Sequence, residues 1–109
     1  EMTVCEIVAG GADSIGTRVR SSGTFESDLF NYSFIIDKGC GSQANLIDLG
    51  RAWGVSDYDE LRRMWVRDCE RKGSPQVCTV RAEIVFAGTI RMSSEGDHLV
   101  VDLDSIGLK

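Results

Sequence analysis

The stretch from Cys78 to Met92 constrains the fold most. Cys78, Val80, Ala82, Ile84, Phe86, Gly88, Ile90 and Met92 fall on one parity, and Thr79, Arg81, Glu83, Thr89 and Arg91 fall on the other. Side chains that alternate with a period of two line opposite faces of a β-strand. This is one long amphipathic strand, with Gly88 placed where it can kink. A turn around Glu95-Gly96-Asp97 follows. A short closing strand then puts Leu99, Val101 and Leu103 inward against Asp102 and Asp104. Ile106 and Leu108 are expected to pack back at its end.

Ahead of this run stands the clearest helix of the chain, over about 56–72. Ser56 is the expected N-cap, and Asp57, Asp59 and Glu60 crowd the first turn, where the helix dipole favours anions. Tyr58, Leu61, Trp65 and Cys69 recur at helical spacing with Met64 beside them. Arg67, Arg71 and Lys72 gather at the far end. Gly73 suits the left-handed position past the helix, and Pro75 stops it.

Three strand-like runs lie further upstream. Arg18 to Glu26 puts Val19 and Phe25 on one face, with Gly23 in the same row. Tyr32 to Asp37 places Phe34 and Ile36 together, read here as the inward pair. Ala44 to Leu49 alternates Ile47 and Leu49. Before them, Thr3 to Ala9 reads as a short helix: Thr3 and Glu6 have capping-box spacing, and Val4, Ile7 and Val8 share a face. The order β-β-β-α-β-β is that of a five-stranded OB-like barrel, mainly β, with one inserted α-helix and a short N-terminal helix. The competing arrangement is an α+β sandwich with the helix packed on a meander. Residues 1–109 fit a single OB-like domain.

Four cysteines in a chain of this size suggest a disulfide framework, and four allow three connectivities. None of the spacings is the C-x-x-C of a redox or zinc site, and there is one histidine, His98. No metal and no cofactor is expected. Cys69 lies near the end of the helix and Cys78 at the head of the long strand, so a bridge between them is sterically reasonable. Cys5 would then pair with Cys40. Disulfides imply an oxidising compartment, periplasmic or secreted. No apolar run approaches the ~20 residues that span a bilayer. No leader is visible from Glu1 to Ala9: either the protein is intracellular, or a leader was cleaved or lies outside this sequence, and the cysteine usage favours the second.

The formal net charge is −5. Affinity for phosphate backbones comes from neutralising phosphates, so nucleic acid is not the expected partner. Asp57, Asp59 and Glu60, and the pair Asp102 and Asp104, could be read as catalytic or metal-binding carboxylates. A helix start and the solvent face of an edge strand explain them more simply. There is no nucleophile elbow and no phosphate loop. His98 reads as a surface residue beside a turn.

Val4-Cys5-Glu6-Ile7-Val8, followed by Gly16-Thr17-Arg18-Val19-Arg20-Ser21-Ser22-Gly23, resembles the opening of a group of small exported bacterial OB-fold proteins of uncharacterised function. Those open with a short helix and a G-x-x-V-x-V-x-G first strand; Ser21 stands here where a valine is expected. Some carry a cysteine after the second strand, as Cys40 does here. The resemblance implies an OB-like fold and an envelope location, with no catalytic residues to carry over.

OB barrels bind on the face of strands two and three and through the flanking loops. In that frame the ligand-binding residues are Arg18, Arg20, Phe30, Tyr32 and Arg51, residue types common among interface anchors. The expected role is a non-catalytic binding module of the bacterial cell envelope for a protein or small ligand. The alternatives are an inhibitor or immunity protein that neutralises a toxin or envelope enzyme, and, by analogy of fold, a binder of single-stranded nucleic acid or oligosaccharide.

Overall fold

Phe25, Ile35 and Ile47 form a row across three neighbouring strands, each fully buried. Around that row a computed structural model shows a closed barrel; it describes residues 2–29, 32–37, 39, 46–50, 52, 54–73 and 78–109. The strands are β1 (Arg18–Ser27), β2 (Ser33–Ile36), β3 (Leu46–Leu49), β4 (Val80–Met92) and β5 (Leu99–Leu108). They pair in the order β1-β2-β3-β5-β4 and close on themselves. Every contact is antiparallel except β3 with β5, where Asp48 lies beside Val100 and Leu49 beside Val101. Helix α1 (Val4–Gly10) precedes the barrel, and helix α2 (Ser56–Arg71) lies between β3 and β4. The chain is thus the OB-like barrel with an inserted helix that its strand order suggests.

The long alternating strand forms as its pattern requires. Val80, Ile84, Phe86, Gly88 and Ile90 are buried, while Arg81, Glu83 and Val85 are exposed. Closure depends on a bulge. Gly88 pairs with Leu103 but Ala87 pairs with Ser105, so Asp104 is an extra residue in β5. The bulge flips the parity of the closing strand, which puts Ile106 in the core after Leu99, Val101 and Leu103. β5 is therefore longer than the short strand expected, and it is no edge, being paired on both sides. Its outward acids are matched instead by arginines: Asp102 with Arg91 at 2.9 Å and Asp104 with Arg18 at 3.2 Å.

Two helices pack on the barrel. In α1 the capping box is complete: the Glu6 amide donates to Thr3 Oγ1 and the Thr3 amide to Glu6 Oε1, both at 3.1 Å. Val4 and Ile7 are driven fully into the core. A 3-10 turn, Gly11–Ser14, follows, and Ser14 Oγ donates back to the Ile7 carbonyl at 2.7 Å. In α2 the N-cap is Val55, with no side-chain cap, and Ser56 is the first helical residue. Tyr58, Trp65 and Cys69 form its buried face. Gly73, at φ 77°, ends it in the left-handed region as its position suggests. Cys69 and Cys78 are disulfide-bonded, which ties the end of α2 to the residues leading into β4. Cys5 is disulfide-bonded as well; the proposed pairing with Cys40 falls on a residue outside those described.

One expectation is corrected in β2. Phe34 and Ile36 do not face the core; Ile35 does. The run Phe34-Ile35-Ile36 is apolar on both parities, so periodicity cannot choose between them. Register does, by placing Ile35 opposite Phe25 and Ile47. Phe34 is left on the outer face.

Candidate functional site

The outer position of Phe34 creates the most chemically distinctive surface of the barrel. Phe34 and Tyr32 stand two residues apart on β2 and the residue leading into it, so they share a face. Their rings stack with centroids 4.9 Å apart and planes 23° apart. Both are half-buried. The β1–β2 turn holds Tyr32 in place. The Tyr32 carbonyl accepts from Ser27 Oγ at 2.7 Å, and its amide donates to Asp28 Oδ1 at 3.1 Å. Between them Leu29 adopts φ 67°, a conformation unfavourable for a residue with a Cβ. Its side chain is buried, its amide donates to Ser27 Oγ at 2.8 Å, and its carbonyl accepts from Arg62 Nη2 of α2 at 3.3 Å.

Charged residues flank the aromatic pair in the same cross-strand row. On one side Phe34 pairs with Glu26 of β1, which is ion-paired to Arg81 of β4 at 2.8 Å. On the other it pairs with Asp48 of β3. Asp48 Oδ2 meets His98 Nε2 at 2.5 Å, while Asp48 Oδ1 is buried and has no hydrogen-bond partner among the described residues. The other ring nitrogen of His98, Nδ1, meets Asp97 Oδ1, also at 2.5 Å. The row thus runs from Arg81 through Glu26 and Phe34 to Asp48, whose side chain reaches His98 just ahead of β5.

The β4–β5 loop that carries His98 is internally braced. Ser93 Oγ donates to Asp97 Oδ1 at 3.0 Å, and the Ser93 amide donates to the His98 carbonyl at 2.9 Å. Gly96 supplies the positive φ of 75° that the turn needs. Burial alone would depress the His98 pKa. The hydrogen bond to Asp97 and the charges of Asp48, Asp97 and Glu95 outweigh it, and the value is raised. The hydrogen bond from Ser93, with that from His98, holds the Asp97 carboxyl below its usual range.

The expected ligand-binding residues do not all meet. Arg18 and Arg20 lie exposed at the start of β1, beside Thr89 and Ala87 of β4. Arg18 is engaged by Asp104. Arg20 borders a separate shallow cleft of about 420 Å³ with Asp57, Val85 and Ile106. At strand spacing Arg20 is about 20 Å along β1 from Glu26. Of the proposed set only Tyr32 belongs to the aromatic face; Phe30 and Arg51 lie outside the described residues. Phe34, Asp48 and His98 are the additions. The adjacency of Asp97 and His98 was visible in the sequence, but their link to Asp48 exists only once β3 is known to run beside β5. Another open cleft, of about 620 Å³, is bordered by Met2, Thr24, Asp37, Glu83 and Lys109.

No known family model matches the chain, and no characterised protein matches its sequence. Among solved structures the chain is similar to an OBody bound to hen egg-white lysozyme, with a TM-score of 0.58 and 14% identity over 99% of this chain and 90% of that one. At that identity the likeness concerns the fold alone.

Proposed function

We propose that this protein is a non-catalytic binding module that takes a protein or small ligand on the β2–β3 face, with Tyr32 and Phe34 as the contact surface. The observation that carries the reading is the stacked aromatic pair standing on the outer face of β2 beside Asp48. OB-type barrels use this face and the loops around it. Large aromatic side chains, Phe34 fixed in the sheet and Tyr32 by a braced turn, lose little entropy on contact, which suits them as anchors. The similar OBody structure is a complex with a protein, which agrees with a protein ligand. The disulfide between Cys69 and Cys78 supports an oxidising location, periplasmic or secreted.

Carboxylates on both sides of Phe34 disfavour a phosphate backbone and favour a basic partner. For that reason an inhibitor or immunity role against a basic enzyme is the second reading, and single-stranded nucleic acid the least supported.

The test uses immobilised wild-type protein and two variants, Phe34→Ala and Arg20→Ala, exposed to bacterial envelope extract. Circular dichroism first establishes that both are folded. A stoichiometric partner retained by Arg20→Ala and lost by Phe34→Ala supports the reading, with affinity for the purified partner falling about 30-fold or more at a hot spot. The reverse pattern moves the site to the β1–β4 cleft. Salt-sensitive binding of an oligothymidine with no protein partner would overturn it in favour of nucleic acid.

A further inference from the structure

The two contacts of His98 have a chemical requirement that neutral imidazole cannot meet. Each ring nitrogen lies 2.5 Å from a carboxylate oxygen, Nε2 from Asp48 Oδ2 and Nδ1 from Asp97 Oδ1. Only the imidazolium has an N–H on both sides; the neutral ring donates from one nitrogen and presents a lone pair at the other. We propose that His98 is a pH-operated latch, which as imidazolium ties the β4–β5 loop to β3 and on losing its proton releases Asp48.

The partners decide which contact opens. Asp97 Oδ1 also accepts from Ser93 Oγ, and Asp97 is adjacent to His98 in the chain, so that contact persists with the Nδ1–H tautomer. Asp48 has no such support. Nε2 of the neutral ring would point a lone pair at Oδ2, and Oδ1 already lacks a partner among the described residues. The proton leaves to solvent and nothing else is exchanged. The charged groups around the ring all favour the closed form at low pH: Asp97 and Glu95 from its own loop and Asp48 from β3. Further along the same row, beyond Val100, Arg91 of β4 is held by Asp102 of β5, so it does not replace the lost charge on Asp48. Glu26, beyond Phe34, is held by Arg81. Opening therefore leaves next to Phe34 a carboxylate that no described residue compensates. If the binding reading above holds, a cationic group on the ligand takes its place there, and affinity rises with pH. The latch itself is tested without any ligand, so its failure and that of the binding reading are separable.

The chain has one histidine, so its ring signals are unambiguous. Nitrogen-15 NMR of the labelled protein is followed through neutral pH for the wild type, Asp48→Asn and Asp97→Asn. The expected result is a wild-type midpoint above the ordinary histidine value of about 6.5. Both nitrogens carry protons below it and Nδ1–H remains above it. Each variant lowers the midpoint, and the protection of amides 94–98, corrected for the base-catalysed rise in intrinsic exchange, falls through the same pH range. Asp97 is a loop residue, so its variant keeps the test informative should Asp48→Asn unfold. A wild-type midpoint at or below the ordinary value overturns the latch, as do loop amides that ignore the ring's deprotonation.

Discussion

The Trp65 ring of α2 lies flat on the Phe25 ring of β1, with centroids 5.0 Å apart and planes 14° apart. Tyr58 makes a T-shaped pair with the same Phe25 ring, with centroids 6.2 Å apart and planes 70° apart. Phe25 is at once the centre of the barrel row and the floor on which the inserted helix rests. Trp65→Ala is expected to cost about 3–5 kcal/mol, the range for truncating a large buried aromatic. Against a total of about 5–15 kcal/mol for a domain, that is a severe loss. A double-mutant cycle between Phe25→Leu and Trp65→Leu should leave a coupling of about 0.5–1.5 kcal/mol. Urea unfolding of the four proteins measures it; strict additivity would mean that the stacking has no energetic meaning.

Gly88 is needed for a different reason. A Cβ there would run into the Asp102 carbonyl and come within 2.7 Å of Val101 Cγ2. The first obstacle is backbone and cannot rotate away. Gly88→Ala should cost about 1–3 kcal/mol or more through overpacking at the bulge. Gly107→Ala in β5 is the control, since its nearest neighbour would be Val85 Cγ2 at 3.8 Å. Equal melting temperatures for the two variants would show that the close approach at Gly88 is unimportant.

Most of the fold was readable because its signals are local. α2 has acids at its start, an apolar stripe and a terminal glycine; β4 alternates over its whole length. These patterns survive without any partner strand. The site was less readable because its signals are not local. Phe34 sits in a run that is apolar on both parities, and only the pairing of Ile35 with Phe25 and Ile47 turns Phe34 outward. His98 looked like an isolated surface residue because Asp48 lies far away in sequence and comes beside it through the β3–β5 contact. Arg18 and Tyr32 looked like neighbours on a common groove, yet β1 carries them to opposite ends. The bulge at Asp104 likewise hides in a sequence whose inward row changes parity between Leu103 and Ile106 with no glycine or proline to mark the place.

The disulfide between Cys69 and Cys78 closes a short loop, with a sequence separation of 9. Chain-entropy reasoning gives about 3 kcal/mol for a loop of this size. The double variant Cys69→Ala/Cys78→Ala should lose about that much in urea unfolding. A non-reducing peptide map is expected to link the Cys69 and Cys78 peptides and to find Cys5 bridged to Cys40. Free thiols on all four would remove the argument for an oxidising compartment.

Stability should follow pH in a way set by the β4–β5 loop. His98 binds its proton more tightly folded than unfolded, so its contribution is complete below the unfolded value of about 6.5 and is lost as pH rises through the higher folded value. Asp97 acts in the opposite direction. Its folded pKa is lowered, so its contribution is present above the unfolded value of about 4 and is lost as pH falls through the folded one. Glu6, lowered by the capping box with Thr3, adds to the same acid limb. The two residues therefore favour the folded state together between about pH 4 and 6.5. Thermal melts from pH 3 to 9 should show the wild type losing stability on the alkaline side relative to His98→Gln, which has no proton to release there. Parallel curves for the two proteins above pH 6 would mean that the imidazolium contributes nothing to holding the loop on the barrel.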